Sequence, residues 1–458
     1  MLLRRESLLS KCQLAALVWR PAAKAERFAA PASAAAPAVA LRLSTASAVP
    51  AELPGKLSAE LSAELSAGVS DWVATVLRGL GGAAVLLGTL VGVLVVTAAF
   101  TLVERKTMAL LQRREGPDRI GFEGLGQPFA DGLKVVRKET VVPKDSPAHR
   151  LFFLAPVLSL WISLALWALL PWGPAGALCN SEVGLLLVLG LGSLGSYGVI
   201  YAGWASNNKY ALMGALRAVA QFLSYEIVFS FALLPVVGAA GSVNLAALVA
   251  HQELHGWFAY LVPLWALTFV LLLAEANRTP FDLPEAEAEL VSGFNVEYSA
   301  LTFAFFFLAE YGSMSFFSAL YASLFFGGWS LSPLGSGALA NGLWTPAELR
   351  LATELAAGTA LEAASEAAAG GALGLAAGGV YLNAALWPLL ALMVKTQLVC
   401  GGFVLARAAL PRKRFDQLTA LCWKLLFPIT FALALCALAL IYGAVALQLS
   451  VEIEKAQQ

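Results

Sequence analysis

Eight apolar runs constrain the fold of this sequence more than any other feature. They cover residues 79–103, 151–171, 183–204, 218–238, 257–274, 299–326, 382–405 and 424–447. Each run is near the roughly 20 residues that a helix needs to cross about 30 Å of hydrocarbon. Hydrophobic residues make up 59% of the chain and charged residues only 13%, a balance unlike that of soluble domains. The sequence therefore predicts an all-α polytopic membrane protein with eight transmembrane helices.

The distribution of basic residues orients these helices. The odd-numbered loops hold nearly all of the bases between the runs: Arg105, Lys106, Arg113, Arg114, Arg119, Lys134, Arg137, Lys138, Lys144, Arg150, Lys209, Arg217, Arg278, Arg407, Arg412, Lys413 and Arg414. The even-numbered loops hold essentially only Arg350. By the positive-inside rule, the odd loops face the matrix and both termini of the mature chain face the opposite side.

Three segments lie outside the apolar core. Residues 1–50 are rich in Arg, Ala, Ser and Leu with few acids, which predicts a mitochondrial transit peptide. Residues 51–78 contain the repeated letters LSAE and form a low-complexity extension. Residues 327–380 are rich in Ala and Gly, and we expect them to form an insertion on the outer membrane surface. The predicted membrane regions are thus 79–326, with helices one to six, and 381–458, with helices seven and eight.

Several function classes are excluded by simple patterns. The formal net charge of zero argues against a nucleic-acid partner. The five cysteines are scattered and form no CxxC pair, so we expect no metal site and no disulfide framework. Gly190, Gly192 and Gly195 match GxGxxG inside an apolar run, where close helix packing is the better interpretation. His251 and His255 have a possible zinc spacing, but a polar outer loop accounts for them.

The first matrix loop predicts a short amphipathic helix in the plane of the membrane interface. Phe129, Leu133 and Val136 fall on one stripe of a helix, and basic residues lie on the opposite side. A generic membrane anchor would need these residues only. Asp131, next to the apolar stripe, is the residue that an anchor does not explain.

Residues 274–298 carry six acids and one base beside an apolar run. Glu275 and Arg278 are one helical turn apart and could pair. Asp282, Glu285 and Glu289 share one face if a helix restarts after the prolines, whereas Glu287 faces elsewhere. One Arg cannot neutralise all six acids. Either the loop is wet, or several carboxyl groups share a confined polar cavity and titrate together.

Two further charges lie deep in apolar runs, and a third group lies in the last matrix loop. Glu226 is too far inside the fourth run to reach water easily, and a buried acid poised between charge states suits a proton relay. Lys395, in the middle of the seventh run, is a candidate counter-ion to the buried acids. Arg412, Arg414 and Asp416 in PRKRFDQL form a candidate docking surface for another protein.

Taken together, five motifs resemble a known family. TLVERK, QPFADGLK, GWASNNKYALMGALRAVAQFLSYE, AEANRTPFDLPEAEAELVSGFNVEY and PRKRFDQL occur in this order, separated by the same helices as in the ND1 (NuoH) subunit family of respiratory complex I, NADH:ubiquinone oxidoreductase. The resemblance covers roughly residues 80–326 and 382–447. The N-terminal extension and the 327–380 insertion depart from the family pattern, but neither interrupts a matched motif.

The resemblance implies a subunit at the heel of the complex that helps to form the ubiquinone chamber. Arg105, Arg113 and Asp131 would line or border that chamber. An acidic route would link quinone chemistry to proton movement through Arg217, Glu226, Glu275, Arg278, Asp282, Glu285, Glu287 and Glu289, and Glu297 and Glu310 also match family positions. NADH, FMN and the iron–sulfur clusters would belong to partner subunits, with no cofactor on this chain.

Three other functions are compatible with parts of the pattern. The membrane subunit of an energy-converting hydrogenase shares the helices and acidic loops, but a transit peptide argues against it. A proton-coupled secondary transporter would show an internal repeat of the motifs. A purely structural anchor would leave Glu226 and Lys395 without a purpose.

Overall fold

Helices form all the regular structure in the part of the chain that the structure describes, which confirms the predicted all-α class. The computed structural model describes residues 86–144, 146, 148–173, 178–258, 261–283, 291–330 and 373–457, without the side chains of 373–386 and 444–457. The predicted transit peptide, the low-complexity extension and most of the predicted insertion lie outside these residues. Those domain assignments stay predictions.

The described helices follow the apolar runs in order. They are α1 (Leu86–Leu111), α2 (Gln127–Val136), α3 (His149–Trp167), α4 (Gly184–Ala205), α5 (Lys209–Ala240), α6 (Leu245–His255), α7 (Val262–Glu275), α8 (Ala300–Phe325), α9 (Leu373–Ala409), α10 (Phe415–Leu421) and α11 (Phe427–Gln457). A π-helical turn at Cys422–Leu426 joins α10 to α11. Short 3-10 turns occur at Phe122–Gly124 and Gly293–Asn295.

Seven helical segments are long and apolar enough to cross a membrane. They comprise α1, α3, α4, α5, α8, residues Trp387–Ala409 of α9, and the segment Phe415–Gly443 that runs from α10 into α11. The fifth predicted run contains α7, which is apolar but has only 14 residues. A helix therefore occupies each of the eight predicted runs, and the count of eight membrane spans stays a prediction. The predicted amphipathic helix corresponds to α2, whose Phe129, Leu133 and Val136 are exposed.

Two helices extend beyond their apolar runs. α1 continues to Leu111, so Glu104 and Arg105 are helical and do not lie in a loop. α5 begins at Lys209, where the side chain of Asn208 accepts a hydrogen bond from the backbone N–H of Tyr210. The predicted boundaries were wrong here because apolarity marks only the part of a helix suited to lipid, whereas an N-cap residue fixes where the helix begins.

Helix α8 lies at the centre of the described residues, packed against α3 on one side and α9 on the other. Its aromatic residues Phe316 and Phe325 are fully buried. Two hydrogen bonds fasten it to α3: the Ser163 hydroxyl donates to the Ala309 carbonyl at 3.0 Å, and the Trp167 indole donates to the Gly312 carbonyl at 3.2 Å. The position of α8 is therefore fixed by packing and by buried polar contacts.

Loops predicted to share a side of the membrane meet in the structure. The loop after α7 touches the loop before α10, where the backbone N–H of Lys413 donates to the Pro280 carbonyl at 3.2 Å. On the opposite side, α6 packs against α8. This arrangement agrees with the alternation of loops that the basic residues predicted.

We predict that Gly214→Ala destabilises the assembled protein although Gly214 lies inside α5, where alanine is the better helix former. A Cβ at position 214 would lie 2.8 Å from the Cα of Gly293, which belongs to a rigid turn. Overpacking of this kind costs about 1–3 kcal/mol. The melting temperature of the purified complex should fall.

Gly190→Ala in α4 is the matched control, because a Cβ there meets nothing within 4 Å. This variant should melt at or slightly above the wild-type temperature. Equal melting temperatures for the two variants would contradict the close approach of α5 to the Gly293 turn.

Candidate functional site

A cavity of about 140 Å³ lies between α3, α4, α5 and α8 and the chain that follows α7. Most of its wall is apolar, with Phe222, Phe306 and Phe317 among the lining side chains. Three carboxyl groups also line it: Glu275, Asp282 and Glu310. Serine hydroxyls occur on the same wall, from Ser159, Ser163, Ser196 and Ser313. The structure thus brings the predicted acids Glu275 and Asp282 together in a confined cavity, one of the two arrangements that the sequence left open.

Glu104 is the centre of a buried charge network beside this cavity. Its side chain is 6% exposed, and Tyr311 Oη donates to its Oε2 at 2.6 Å. Arg407 Nη1 donates to Oε1, and Arg278 Nη1 lies 3.7 Å from the same oxygen. One carboxylate from α1 therefore connects α8, α9 and the chain after α7. Ionised groups this far from water are stable only when paired in this way.

Arg278 links the network to the cavity. Its Nε lies 3.3 Å from Glu310 Oε1, and its guanidinium group lies 4.4 Å from the centre of the Tyr311 ring. Burial alone would lower the pKa of Arg278, but Glu310, Tyr311 and Glu104 together outweigh it and raise the pKa above its ordinary value. The arginine is thus a fixed positive charge at the edge of the cavity.

Glu275 does not pair with Arg278, although the spacing in sequence would have allowed it. α7 ends at Glu275, and Asn277 has a left-handed φ of 49°. Because of this turn, Arg278 does not lie one helical turn from Glu275. Its side chain reaches Glu104 and Glu310 instead. Glu275 is 7% exposed, and no described residue donates a hydrogen bond to its Oε2. Among the described acids of the cavity, Glu275 is the one that no arginine neutralises.

Asp282 is neutralised by the last matrix loop. Arg412 Nη2 donates to its Oδ2 at 3.0 Å, and Asp282 is itself 6% exposed. Arg412, a member of the predicted docking surface, makes this internal ion pair while its side chain stays 43% exposed, so the docking surface stays a prediction. Arg414 and Asp416 are exposed at the start of α10, where they remain available to a partner.

Glu226 lies on α5, half-buried, and accepts a hydrogen bond from the Ser193 hydroxyl of α4. It does not line the cavity described above. Arg217 lies more than two turns earlier on α5, with its guanidinium group 6.0 Å from the centre of the Phe415 ring. The structure therefore places these two predicted site residues beside the cavity wall, on the helix that carries the wall residues Ala218, Val219 and Phe222.

The residues predicted at the edge of a chamber form a separate group on α1 and α2. Arg105 Nη1 donates to Asp131 Oδ2 at 2.6 Å, and Gln127 donates to the other oxygen at 3.0 Å. Arg113 is exposed just beyond α1, with a left-handed φ of 55°. The ion pair attaches α2 to α1, which explains why an amphipathic helix carries an acid beside its apolar stripe.

The remaining predicted site residues either do not line the cavity or lie outside the described residues. Lys395 makes no ion pair with the described cavity acids: its ammonium group donates to backbone carbonyls at the end of α8, including that of Phe326 at 2.6 Å. Lys395 is therefore not the counter-ion of Glu275, Asp282 or Glu310, because its donors are taken by these carbonyls. Glu297 accepts from Asn208 Nδ2 at 2.9 Å. Glu285, Glu287 and Glu289 lie outside the described residues.

Sequence reasoning missed three members of the network. Glu104 was assigned to a loop, Arg407 was counted only as a positive-inside charge, and Tyr311 was not considered. A signal was present in the TLVERK motif, where Glu104 directly follows an apolar run in a chain with few charges. Among the described residues, no group of three His, Cys, Asp or Glu side chains could hold a metal ion.

Helices of membrane length around a cavity with buried acids define the class of a polytopic membrane protein. The family model described as NADH dehydrogenase matches residues 84–438. The chain belongs to this family, which confirms the resemblance to ND1 (NuoH) and makes it a membrane-integral subunit of an oxidoreductase.

Curated relatives cover most of the chain. It is 40% identical over 348 residues to NADH-ubiquinone oxidoreductase chain 1 of Mycosarcoma maydis, covering 76% of this chain and 92% of the relative. It is 39% identical over 339 residues to the protein of the same name from Chondrus crispus, covering 74% and 90%. It is 40% identical over 353 residues to an NADH-quinone oxidoreductase subunit of the bacterium Bordetella avium, covering 74% and 85%.

We expect Glu104→Gln to lower the melting temperature of the complex more than Tyr311→Phe does. Glu104→Gln leaves the buried Arg278 and the partly exposed Arg407 without their shared negative charge, and breaking a buried pair costs about 3–5 kcal/mol. Tyr311→Phe removes one hydrogen bond to a charged group, worth about 1.5–3 kcal/mol. Thermal denaturation of the purified complex shows which variant has the lower melting temperature.

Glu123→Gln supplies the control for a lost carboxylate. Glu123 is 71% exposed and lies 3.7 Å from Lys106, so its ion pair contributes little. A melting temperature for Glu104→Gln as high as that of Glu123→Gln would show that the buried network does not hold these helices.

Proposed function

We propose that this chain is the heel subunit in the membrane arm of a proton-pumping NADH:ubiquinone oxidoreductase. It forms part of the ubiquinone chamber and holds an acidic route that couples quinone reduction to proton translocation. The observation that carries this proposal is Glu275, a buried carboxyl group with an unpartnered oxygen in the cavity beside the Arg278 network. Family membership and the names of the relatives support the assignment to the complex.

The proposed proton route runs through carboxyl groups with different partners. Asp282 and Glu310 each face an arginine, whereas Glu275 faces none among the described residues. Because a neighbouring cation favours the ionised form of a carboxyl group, an acid without such a cation takes up a proton more readily. Glu275 is therefore the residue that we expect to change protonation state during turnover. Glu226 continues the route on α5, and Glu285, Glu287 and Glu289 extend it by resemblance to the family.

The proposed quinone chamber is bordered by cations. Arg278 supplies a fixed positive charge at the cavity, and the Arg105–Asp131 ion pair holds α2 against α1. Arg113 and Arg217 complete the set by resemblance. Positive charge that is already in position can stabilise the negative charge that develops on a quinone as electrons arrive, without any reorganisation of solvent.

Quinone reduction would couple the proposed quinone chamber to the proposed proton route. Full reduction of a quinone to a quinol takes up two electrons and two protons. Negative charge that appears near Arg278 changes the electrostatic potential at Glu275, Asp282 and Glu310, and buried carboxyl groups respond by binding or releasing protons. Proton movement in the membrane can thus follow electron transfer without direct contact between Glu275 and the quinone.

The proposal implies partners and a location. NADH, FMN and the iron–sulfur clusters would be held by other subunits of the complex, and this chain would contribute no cofactor. The exposed Arg414 and Asp416 remain candidates for docking a hydrophilic subunit. Two of the named relatives are from a fungus and an alga, which supports the mitochondrial inner membrane as the location.

We predict that Glu275→Gln lowers inhibitor-sensitive ubiquinone reduction and proton pumping at least tenfold, because an amide cannot bind and release a proton at this position. NADH oxidation by an artificial acceptor that takes electrons before the quinone should stay unchanged. Proton uptake and ubiquinone reduction are measured on the assembled complex in sealed vesicles.

Glu253→Gln is the matched control. Glu253 lies on α6, away from the cavity, and burial raises its pKa above the ordinary value, so it is also a partly buried acid. Its amide variant should pump normally. Normal pumping by assembled Glu275→Gln would contradict the proton-route assignment.

A further inference from the structure

The C-terminal end of α8 is a dense array of backbone carbonyls that point at side chains. Gly327 and Gly328 both have left-handed φ values, of 67° and 49°. They turn the chain sharply after the helix, so carbonyls on both sides of the turn converge. A helix end leaves about four carbonyls without intrahelical partners and carries partial negative charge. Because the end of α8 is buried, these carbonyls must accept hydrogen bonds from other groups of the protein.

Gln252 of α6 satisfies part of the array. It is fully buried, and its Nε2 donates to the carbonyls of Ser323 at 2.9 Å and Leu324 at 3.1 Å. Its Oε1 accepts from the backbone N–H of Gly327 at 2.9 Å. Three other carbonyls of the turn belong to Phe326, Gly328 and Ser330, and Gln252 donates no hydrogen bond to them.

Lys395 of α9 satisfies all three of those carbonyls. Its Nζ donates to Phe326 O at 2.6 Å, to Gly328 O at 2.9 Å and to Ser330 O. An ammonium group has three N–H donors, so each donor has one acceptor. The Trp257 ring closes another side, with its centre 4.5 Å from Nζ. A carbonyl triad over an indole face combines hydrogen bonding with cation–π attraction.

The glycines are what allow this geometry. A Cβ on Gly327 would overlap Trp257 Nε1, and one on Gly328 would lie 2.9 Å from Val249 Cγ2. Larger residues would push the indole and α6 away from the turn. The close approach of Trp257 therefore depends on the same two residues whose backbone turns the carbonyls inward.

From this geometry we propose that the end of α8 is a binding site for a primary ammonium group, filled by the chain's own Lys395. The site is built from the Phe326, Gly328 and Ser330 carbonyls and the Trp257 ring. Lys395 is then a positioning residue and not a proton carrier. This inference does not rest on the proposed proton route, and it removes Lys395 from that route.

The site explains how α9 holds α8. The same helix that carries Lys395 also carries Arg407, which binds Glu104 in the charge network. Lys395 thus holds the end of α8 directly, whereas Arg407 reaches α8 through Glu104, which also accepts a hydrogen bond from Tyr311. Both contacts are charge-assisted, which makes them stronger than neutral hydrogen bonds.

The test compares Lys395→Ala with added cations. Removing the side chain to Cβ leaves the carbonyls and the indole, so the melting temperature of the assembled complex should fall. Ethylammonium, which has three N–H donors, should restore it in a concentration-dependent way. Tetramethylammonium carries the same charge but no N–H group and should not. Neither cation should shift the melting temperature of the wild-type complex.

Two further variants keep the proposal testable if Lys395→Ala does not assemble. Lys395→Arg keeps a permanent charge with several N–H donors, and Lys395→Met keeps the length without either. We expect more assembled complex with Arg than with Met, and an unchanged number of protons pumped per NADH in the Arg variant. Failure of ethylammonium to rescue assembled Lys395→Ala, equal or better assembly of the Met variant, or loss of pumping by assembled Lys395→Arg would each overturn the proposal.

Discussion

A single carboxylate on the first described helix determines how the rest of the site is arranged. Glu104 accepts from Arg407 and Tyr311 and lies 3.7 Å from Arg278, so it joins four parts of the chain that are far apart in sequence. Burying these charges carries a desolvation cost that only complete pairing offsets. The contacts of Arg278 with Glu104 and Glu310 hold it at the cavity edge. The uncompensated position of Glu275 follows from these contacts, because the nearest arginine is already bound to other acids.

Helix α8 is held both at the charge network and at its C-terminal end. One part of it carries Glu310 and Tyr311 beside the charge network, and its C-terminal carbonyls are bound by Gln252 and Lys395. Its other contacts are rigid aromatic packing and hydrogen bonds to α3. We propose that the cavity changes its charge state during turnover, and walls held in a fixed position would then stabilise developing charge without reorganising. The protein thus combines a firmly held helix with one buried acid that no described arginine neutralises.

The sequence predicted the positions of the helices well, but it did not predict which groups the buried charged side chains contact. Apolar runs located the helices, basic residues predicted which loops meet, and the dense acids pointed to the cavity that Glu275 and Asp282 line. Glu275 and Arg278 could have paired because they are one turn apart, yet the left-handed residue Asn277 separates them. Lys395 was a candidate counter-ion to the acids, yet its acceptors are backbone carbonyls, which residue letters do not reveal. Local spacing cannot show which distant charge will face a buried group, since that depends on how the helices pack.

We propose that Glu275 changes protonation state when the quinone is reduced. The most direct measurement is the infrared difference spectrum between the oxidised and reduced forms of the assembled complex, in the region of protonated carboxyl groups. We expect a carboxyl band that is present in the wild-type protein, shifts in heavy water and is absent from Glu275→Gln. A band that survives unchanged in Glu275→Gln, with quinone reduction still impaired, would contradict it and would transfer the protonation change to another acid.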